Sequence, residues 1–221
     1  QCQLRAAEPP PLKIAIARLY YSLRRGVAER YCVNLSRQLL RLGHDVSFVG
    51  ESIDDELREE LPCFPVPVRS TTSAARNRSF AENCEKVIAG QKFDIVYGLG
   101  RSFGVDLFRV TERLQSHWLN VHYRNRLDGW VQGRNPRHRT LIDLERTICQ
   151  SPRTRRIVTI SSVDGALLQR YYGVPEEKIC TIYNGVDTDQ FHPRARQHAA
   201  EVRREWGICE GEPLITFASM D

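Results

Sequence analysis

Arg24-Arg25-Gly26-Val27-Ala28-Glu29-Arg30 carries a basic loop straight into the start of a long amphipathic segment. Exposed N–H groups and the positive dipole end of a helix there would hold a phosphate or diphosphate, with Gly26 permitting close approach. The plainer alternative is a turn with solvated arginines. Neither Gly-x-Gly-x-x-Gly nor a Gly-Lys-Ser/Thr phosphate loop is present in this loop, which disfavours ordinary dinucleotide dehydrogenases and P-loop NTPases. A second group joins Arg69, Arg76 and Arg78 with Ser70, Thr71, Thr72, Ser73 and Asn77. Hydroxyls and N–H groups at a helix start, with guanidinium forks nearby, bind anions, and the same residues also make a polar loop with a cap. Asp187-Thr188-Asp189 has the spacing to hold a divalent cation, but carboxylates in a turn after Asn184-Gly185 read as solvated capping groups. His117 and His122 are read as structural or surface residues.

A third stretch, from Tyr123-Arg124-Asn125-Arg126 to Arg134-Asn135-Pro136-Arg137-His138-Arg139, is basic and interleaved with Trp118 and Trp130. Arginines with interfacial aromatics suit an anionic membrane surface, through Arg124, Arg126, Trp130, Arg134 and Arg137, or else a solvated charged face. Acidic neighbours Asp106, Glu112, Asp143 and Glu145 argue against nucleic acid. The whole chain is basic by +5, with 28 Arg and four Lys among its 221 residues, and arginine favours two-pronged contacts to phosphate or carboxylate. Composition excludes collagen, coiled coil and a disordered tail. No apolar run approaches the ~18 residues of a membrane span, and the start lacks a secretory pattern. Seven cysteines, none in Cys-x-x-Cys spacing, read as free thiols in a reducing cytoplasm.

The elements that must position these groups alternate. Leu12 to Ala17 reads as a buried strand, and Tyr31, Leu35, Leu39 and Leu42 share one face of a helix that Gly43 stops. Asp45 to Gly50 is a second strand, Phe64 to Val68 a short one restricted to an edge by its prolines, and Ser73 to Gly90 a helix. Phe93 to Tyr97, Val105 to Phe108, Arg156 to Ile160 and Lys178 to Tyr183 read as further strands. Helices are expected over Thr140 to Gln150 and after Ser161-Ser162, the latter turning Val163, Leu167, Leu168, Tyr171 and Tyr172 to the sheet. The pattern predicts an α/β fold with a doubly wound, open, mostly parallel sheet, whose ligands gather at the carboxyl ends of the strands. Ala199 to Trp206 reads as a short helix and Leu214 to Ala218 as a new buried strand. The expected organisation is a lead-in over 1–11, a main domain over 12–193, and over 194–221 a linker helix and the first strand of a truncated second domain.

Gly26-Val27-Ala28-Glu29-Arg30-Tyr31 and Leu42-Gly43-His44-Asp45-Val46 resemble the opening of family 4 GT-B glycosyltransferases. Tyr172-Gly173-Val174-Pro175-Glu176-Glu177-Lys178-Ile179 and Tyr183-Asn184-Gly185-Val186-Asp187-Thr188-Asp189-Gln190-Phe191 resemble the end of that family's N-terminal domain and its linker. Within the family, Pro67-Val68-Arg69-Ser70, Arg76-Asn77, Gly104-Val105-Asp106-Leu107-Phe108 and Arg137-His138-Arg139 are similar to the lipopolysaccharide core glucosyltransferase I group. The resemblance implies a Rossmann-like GT-B N-terminal domain that holds the acceptor of a retaining transferase. A nucleotide sugar would be its other substrate, with no metal or other cofactor. It implies Gly26, Val27 and Arg30 in the donor-facing loop, and Arg76, Asn77 and Arg101 on the acceptor. No catalytic base is assigned, Asp106 and Glu112 being the candidates. Val27 stands where the family has a second loop glycine, and a β-branched residue disfavours positive φ, so the loop holds an ordinary conformation or the contact is altered. Gln115 stands where relatives have a histidine, so no base is carried over there. The resemblance places the protein in the cytoplasm, docked on the inner face of the plasma membrane, with this chain inactive by itself. The competing readings are a non-catalytic α/β module for an anionic glycolipid or nucleotide, and a GT-B-type epimerase.

Overall fold

A computed structural model of the chain describes residues 10–69, 71–123, 132–189, 191–209 and 211–217. The contacts divide it into Gln1–Tyr183 and Asn184–Asp221. The last strand of the sheet, β9 (Ile179–Thr181), lies just before the boundary between them.

In the first unit the chain runs through β1 (Lys13–Ala17), β2 (Tyr20–Tyr21), α1 (Val27–Arg41), β3 (Asp45–Gly50), β4 (Ser52–Ile53) and β5 (Cys63–Pro65). It continues with α2 (Ser73–Ala89), β6 (Ile95–Gly98), β7 (Leu107–Arg109), α3 (Gln115–His122), α4 (Pro136–Gln150), β8 (Arg156–Thr159), α5 (Ser162–Tyr172) and β9. Among the described residues, seven strands form one sheet in the order β5-β3-β1-β6-β7-β8-β9, every pair parallel. β2 and β4 pair separately. Successive β1 side chains alternate between faces. Ile14 and Ile16 meet Cys32 and Val33 of α1, while Ala15 and Ala17 join Phe80 and Ile88 of α2, Ile148 of α4 and Leu168 of α5. The sheet is therefore covered on both sides, as a doubly wound architecture requires.

Several expectations shift by a few residues for identifiable reasons. Leu42 is 72% exposed because the helix has already ended there, with Gly43 at φ +84. Val163 is likewise exposed, whereas Leu167, Leu168, Tyr171 and Tyr172 do pack on the sheet. α4 starts a turn earlier than expected, at Pro136, because Asn135 accepts the Arg137 N–H and proline fits the first helical position. The stretch from Leu114, which periodicity did not resolve, contains α3. Ser161 caps α5 by accepting the Asp164 N–H at 3.2 Å. Ser161→Ala is expected to cost about 1 kcal/mol in urea unfolding, the usual value of such a cap.

The second unit has a 3-10 turn at Pro193–His198 and α6 (Ala199–Glu205), whose Arg203 donates to the Cys209 and Glu212 carbonyls. Leu214, Ile215 and Phe217 are exposed and pair with no strand among the described residues, in place of the buried strand expected from their apolarity. Ala218 lies outside the described residues.

Candidate functional site

Strand order reverses between β1 and β6, so the crevice at their carboxyl ends is the topological switch point. The loop that leaves β1 there leads to α1, and Gly26 caps the helix in extended conformation, at φ −134. Val27 begins α1, and among the described residues no non-glycine has positive φ, so the loop takes the ordinary conformation that a β-branched residue allows. A side chain on Gly26 would come within 2.7 Å of the Glu29 carboxylate. Glu29 in turn pairs with the nearly buried Arg18 at 2.8 Å, and Arg18 also donates to the Leu99 carbonyl across the crevice. The acid at the mouth of α1 is thus the chain's own, neutralised from the adjacent strand. Arg30 lies on the outside of this loop, its Nε donating to the Leu23 carbonyl at 3.0 Å.

A second depression opens farther along the same edge of the sheet. It encloses ≈ 460 Å³ and is lined by Asn77, Arg101, Glu112, Arg113, Gln115, Trp118, Arg137 and Leu141. α2, α3 and α4 all supply walls, while the loops after β6 and β7 bring Arg101 and Glu112. Behind the lining, Glu145 of α4 is 2% exposed. Its carboxylate accepts Arg101 Nη2 at 2.7 Å and Nε at 3.0 Å, the Gln115 N–H at 3.0 Å, and the Tyr172 hydroxyl. Gln115 is the first residue of α3, so the buried charge also faces the positive end of that helix. Arg101 reaches forward to Glu112 with its other nitrogen. Burial alone would lower the Arg101 pKa, but Glu145 and Glu112 outweigh it and raise it. Burial and then Glu145 push the Tyr172 phenol far above its ordinary range. The network is a rigid ionic brace whose exposed end, Glu112, stands in the cleft as a hydrogen-bond acceptor.

Asn77, Arg101 and Glu112 are therefore brought together. Arg76 is not, because adjacent helical residues point about 100° apart. Its guanidinium turns to Glu51 and the Tyr20 hydroxyl, on the β1–β3 side. Asp106 lies at the opposite, amino end of the sheet, where its carboxylate accepts the Val96 N–H at 2.9 Å and its carbonyl accepts the Arg155 N–H. Gly26, Val27 and Arg30 form the separate loop at the switch point. Asp187 and Asp189 belong to a turn in which Asp187 accepts the Asp189 N–H. Arg134 and Arg137 are exposed, whereas Ser70, Arg124, Asn125, Arg126 and Trp130 lie outside the described residues.

Glu145, Arg113 and Trp118 also form the site, although in sequence Trp118 groups with the basic stretch, Glu145 stands only as one of its acidic neighbours, and Arg113 has no assigned role. Glu145 falls four residues after Leu141 and one after Leu144, hence on the apolar face of α4, and a carboxylate there demands a buried partner. His138 is buried as well, with Nδ1 3.0 Å from the Gln115 carboxamide and its ring beside Trp118. Burial, aided by Arg137, lowers its pKa below the ordinary 6.5. The unfolded chain then binds more protons than the folded one below that pH, so stability is lost as pH falls through and below about 6.5. Urea midpoints between pH 7.5 and 5 should fall more steeply for the native chain than for His138→Gln.

No curated protein matches the chain closely enough to count as a relative. Among solved structures it is similar to WaaG, described as a glycosyltransferase involved in lipopolysaccharide biosynthesis, at 19% identity and a TM-score of 0.71. That match covers 89% of this chain and 52% of WaaG. A glycosyltransferase from Rickettsia africae is similar at 15% identity and a TM-score of 0.52, with 93% and 52% covered. The chain thus spans about half the length of these proteins, and the likeness shows a shared GT-B-type, Rossmann-like fold. The model of Glycosyltransferase Family 4 matches residues 28–190, from α1 through the last strand of the sheet. The chain belongs to glycosyltransferase family 4.

Proposed function

We propose that this chain is the acceptor-binding half of a glycosyltransferase that moves a sugar from a nucleotide-sugar donor to a glycan or lipopolysaccharide-type acceptor. Retention of anomeric configuration, a hexose as the transferred sugar, and catalysis without a metal are part of the proposal. The observation that carries it is the polar cleft at the carboxyl edge of a family 4 sheet, beside the loop at the switch point. The loop of Gly26, Val27 and Arg30 would face the donor. Across from it, Glu112 would accept a hydrogen bond from an acceptor hydroxyl, its position set by Arg101. The rate would come mainly from orienting that hydroxyl against the anomeric carbon and from stabilising the departing diphosphate. The main domain would span 12–193, with residues 194–221 leading toward the donor-binding half.

The WaaG likeness supports a lipopolysaccharide-type acceptor, and such an acceptor lies in a membrane. Among the described residues no helix is long and apolar enough to cross one. Arg134, with Arg124, Arg126 and Trp130, would instead dock a cytoplasmic enzyme on the anionic inner face of the plasma membrane. The test is nucleotide release from UDP-, GDP- and ADP-glucose by the full-length natural polypeptide. Release with one of them is expected, and neither release nor binding with any would overturn the enzymatic reading.

A further inference from the structure

Several arginines along the carboxyl edge of the sheet are engaged by acids. Arg18 pairs with Glu29, Arg76 with Glu51, and Arg101 with both Glu145 and Glu112. Arg113 and Arg137 differ. Both are exposed and line the same ≈ 460 Å³ cleft, yet neither makes an ion pair among the described residues. The Arg137 side chain donates one hydrogen bond, from Nε to Ser73 Oγ at 3.2 Å, and its other guanidinium donors meet no partner among the described residues. Glu112, the carboxylate on that lining, shares the Arg101 guanidinium with Glu145, so that trio keeps one negative charge against the two positive charges of Arg113 and Arg137. Asn77 adds a carboxamide, one N–H of which donates to the Ser73 carbonyl at 2.7 Å and leaves the other for a ligand, while Trp118 and Leu141 offer the apolar surface that a sugar ring can cover.

We propose that this cleft is a subsite for a phosphate monoester on the acceptor, with Arg113 and Arg137 as its ligands; the inference rests on the acceptor-half reading above. A phosphate monoester presents three terminal oxygens and close to two negative charges near neutral pH. Two guanidinium forks and a carboxamide match that set, and each fork can engage two oxygens at once. The location reinforces the charge. Arg137 is the second residue of α4 and its Nε meets Ser73, the first residue of α2, so the positive ends of these helices, of 15 and 17 residues, lie beside Arg137. A carboxylate on the acceptor would use fewer of these donors, and a neutral sugar none of the charge. The phosphate would fix the acceptor at one end, leaving a hydroxyl of the same molecule free to meet Glu112.

The experiment titrates the chain with glucose 6-phosphate, glucuronate and glucose at fixed ionic strength, by calorimetry or chemical-shift mapping. Glucose 6-phosphate is expected to bind most tightly, and Arg113→Gln combined with Arg137→Gln to weaken it about tenfold or more. Both side chains are exposed, so the variant is expected to fold, and an unchanged urea midpoint verifies this. Arg153→Gln with Arg155→Gln, which removes two exposed charges outside the cleft, should leave the affinity unaltered. Equal binding of glucose 6-phosphate and glucose, equal binding of glucuronate, or an equal loss in the two double variants would each overturn the subsite. Nucleotide release by the full-length polypeptide does not depend on this pocket. Release that persists without phosphate binding removes the subsite alone, whereas absence of release removes the reading beneath it.

Discussion

Glu145→Ala is expected to destabilise the chain by about 3–5 kcal/mol, the usual cost of removing one partner from a buried ion pair. Its carboxylate is 2% exposed and collects hydrogen bonds from Arg101, the Gln115 N–H and Tyr172. Truncation leaves the Arg101 guanidinium, with 12% of its side chain exposed, holding only Glu112, and it leaves the start of α3 without its counter-charge. The comparison variant is Glu145→Leu combined with Arg101→Met. Replacing both charges by apolar groups of similar size should recover most of the loss, because the desolvation cost disappears with the pair. Urea unfolding of the three proteins checks this. A loss below about 1 kcal/mol for Glu145→Ala would mean that the brace does not hold α3, α4 and α5 together.

Gly50→Ala carries the second large effect, by overpacking rather than by charge. A side chain on Gly50 would sit 2.2 Å from the Arg18 carbonyl oxygen and 2.2 Å from the Phe48 ring. The first is backbone of the neighbouring segment, and Phe48 is fully buried against Tyr21, with ring centroids 5.2 Å apart. Neither can yield cheaply, so a cost of about 3 kcal/mol is expected, at the upper end for added methyl groups. Gly43→Ala is the internal control. It has the left-handed φ of +84 but nothing within 4 Å, so only backbone strain of about 1 kcal/mol should appear. Because Arg18 spans the switch point, Gly50→Ala should also weaken nucleotide binding to the full-length polypeptide.

Strand identity was readable because buried parallel strands are short continuous apolar runs, as in Leu12 to Ala17 and Asp45 to Gly50. The edge position of β5 followed from Pro65 and Pro67, which cannot donate to a ladder on both sides. The two acidic candidates near β7 show where such reading stops. Asp106 and Glu112 are close in sequence, but β7 runs between them, so one lies at each end of the sheet. Placing the strand at Val105 to Phe108 instead of Leu107–Arg109 hid that separation. Arg101 was legible as a cation in a loop at the carboxyl edge of the sheet, yet its partner Glu145 is 44 positions away, and no local pattern reports such a pair. Arg76 and Asn77 were read as one unit from their adjacency, whereas helical geometry sends them to different sides of α2.

The most direct test of the account is proton NMR of the glycoside formed by the full-length natural polypeptide from an α-linked nucleotide sugar and a phosphorylated glycan acceptor. A new α-anomeric signal is predicted. A β-anomeric signal, or no new glycosidic linkage with any nucleotide sugar, would contradict it.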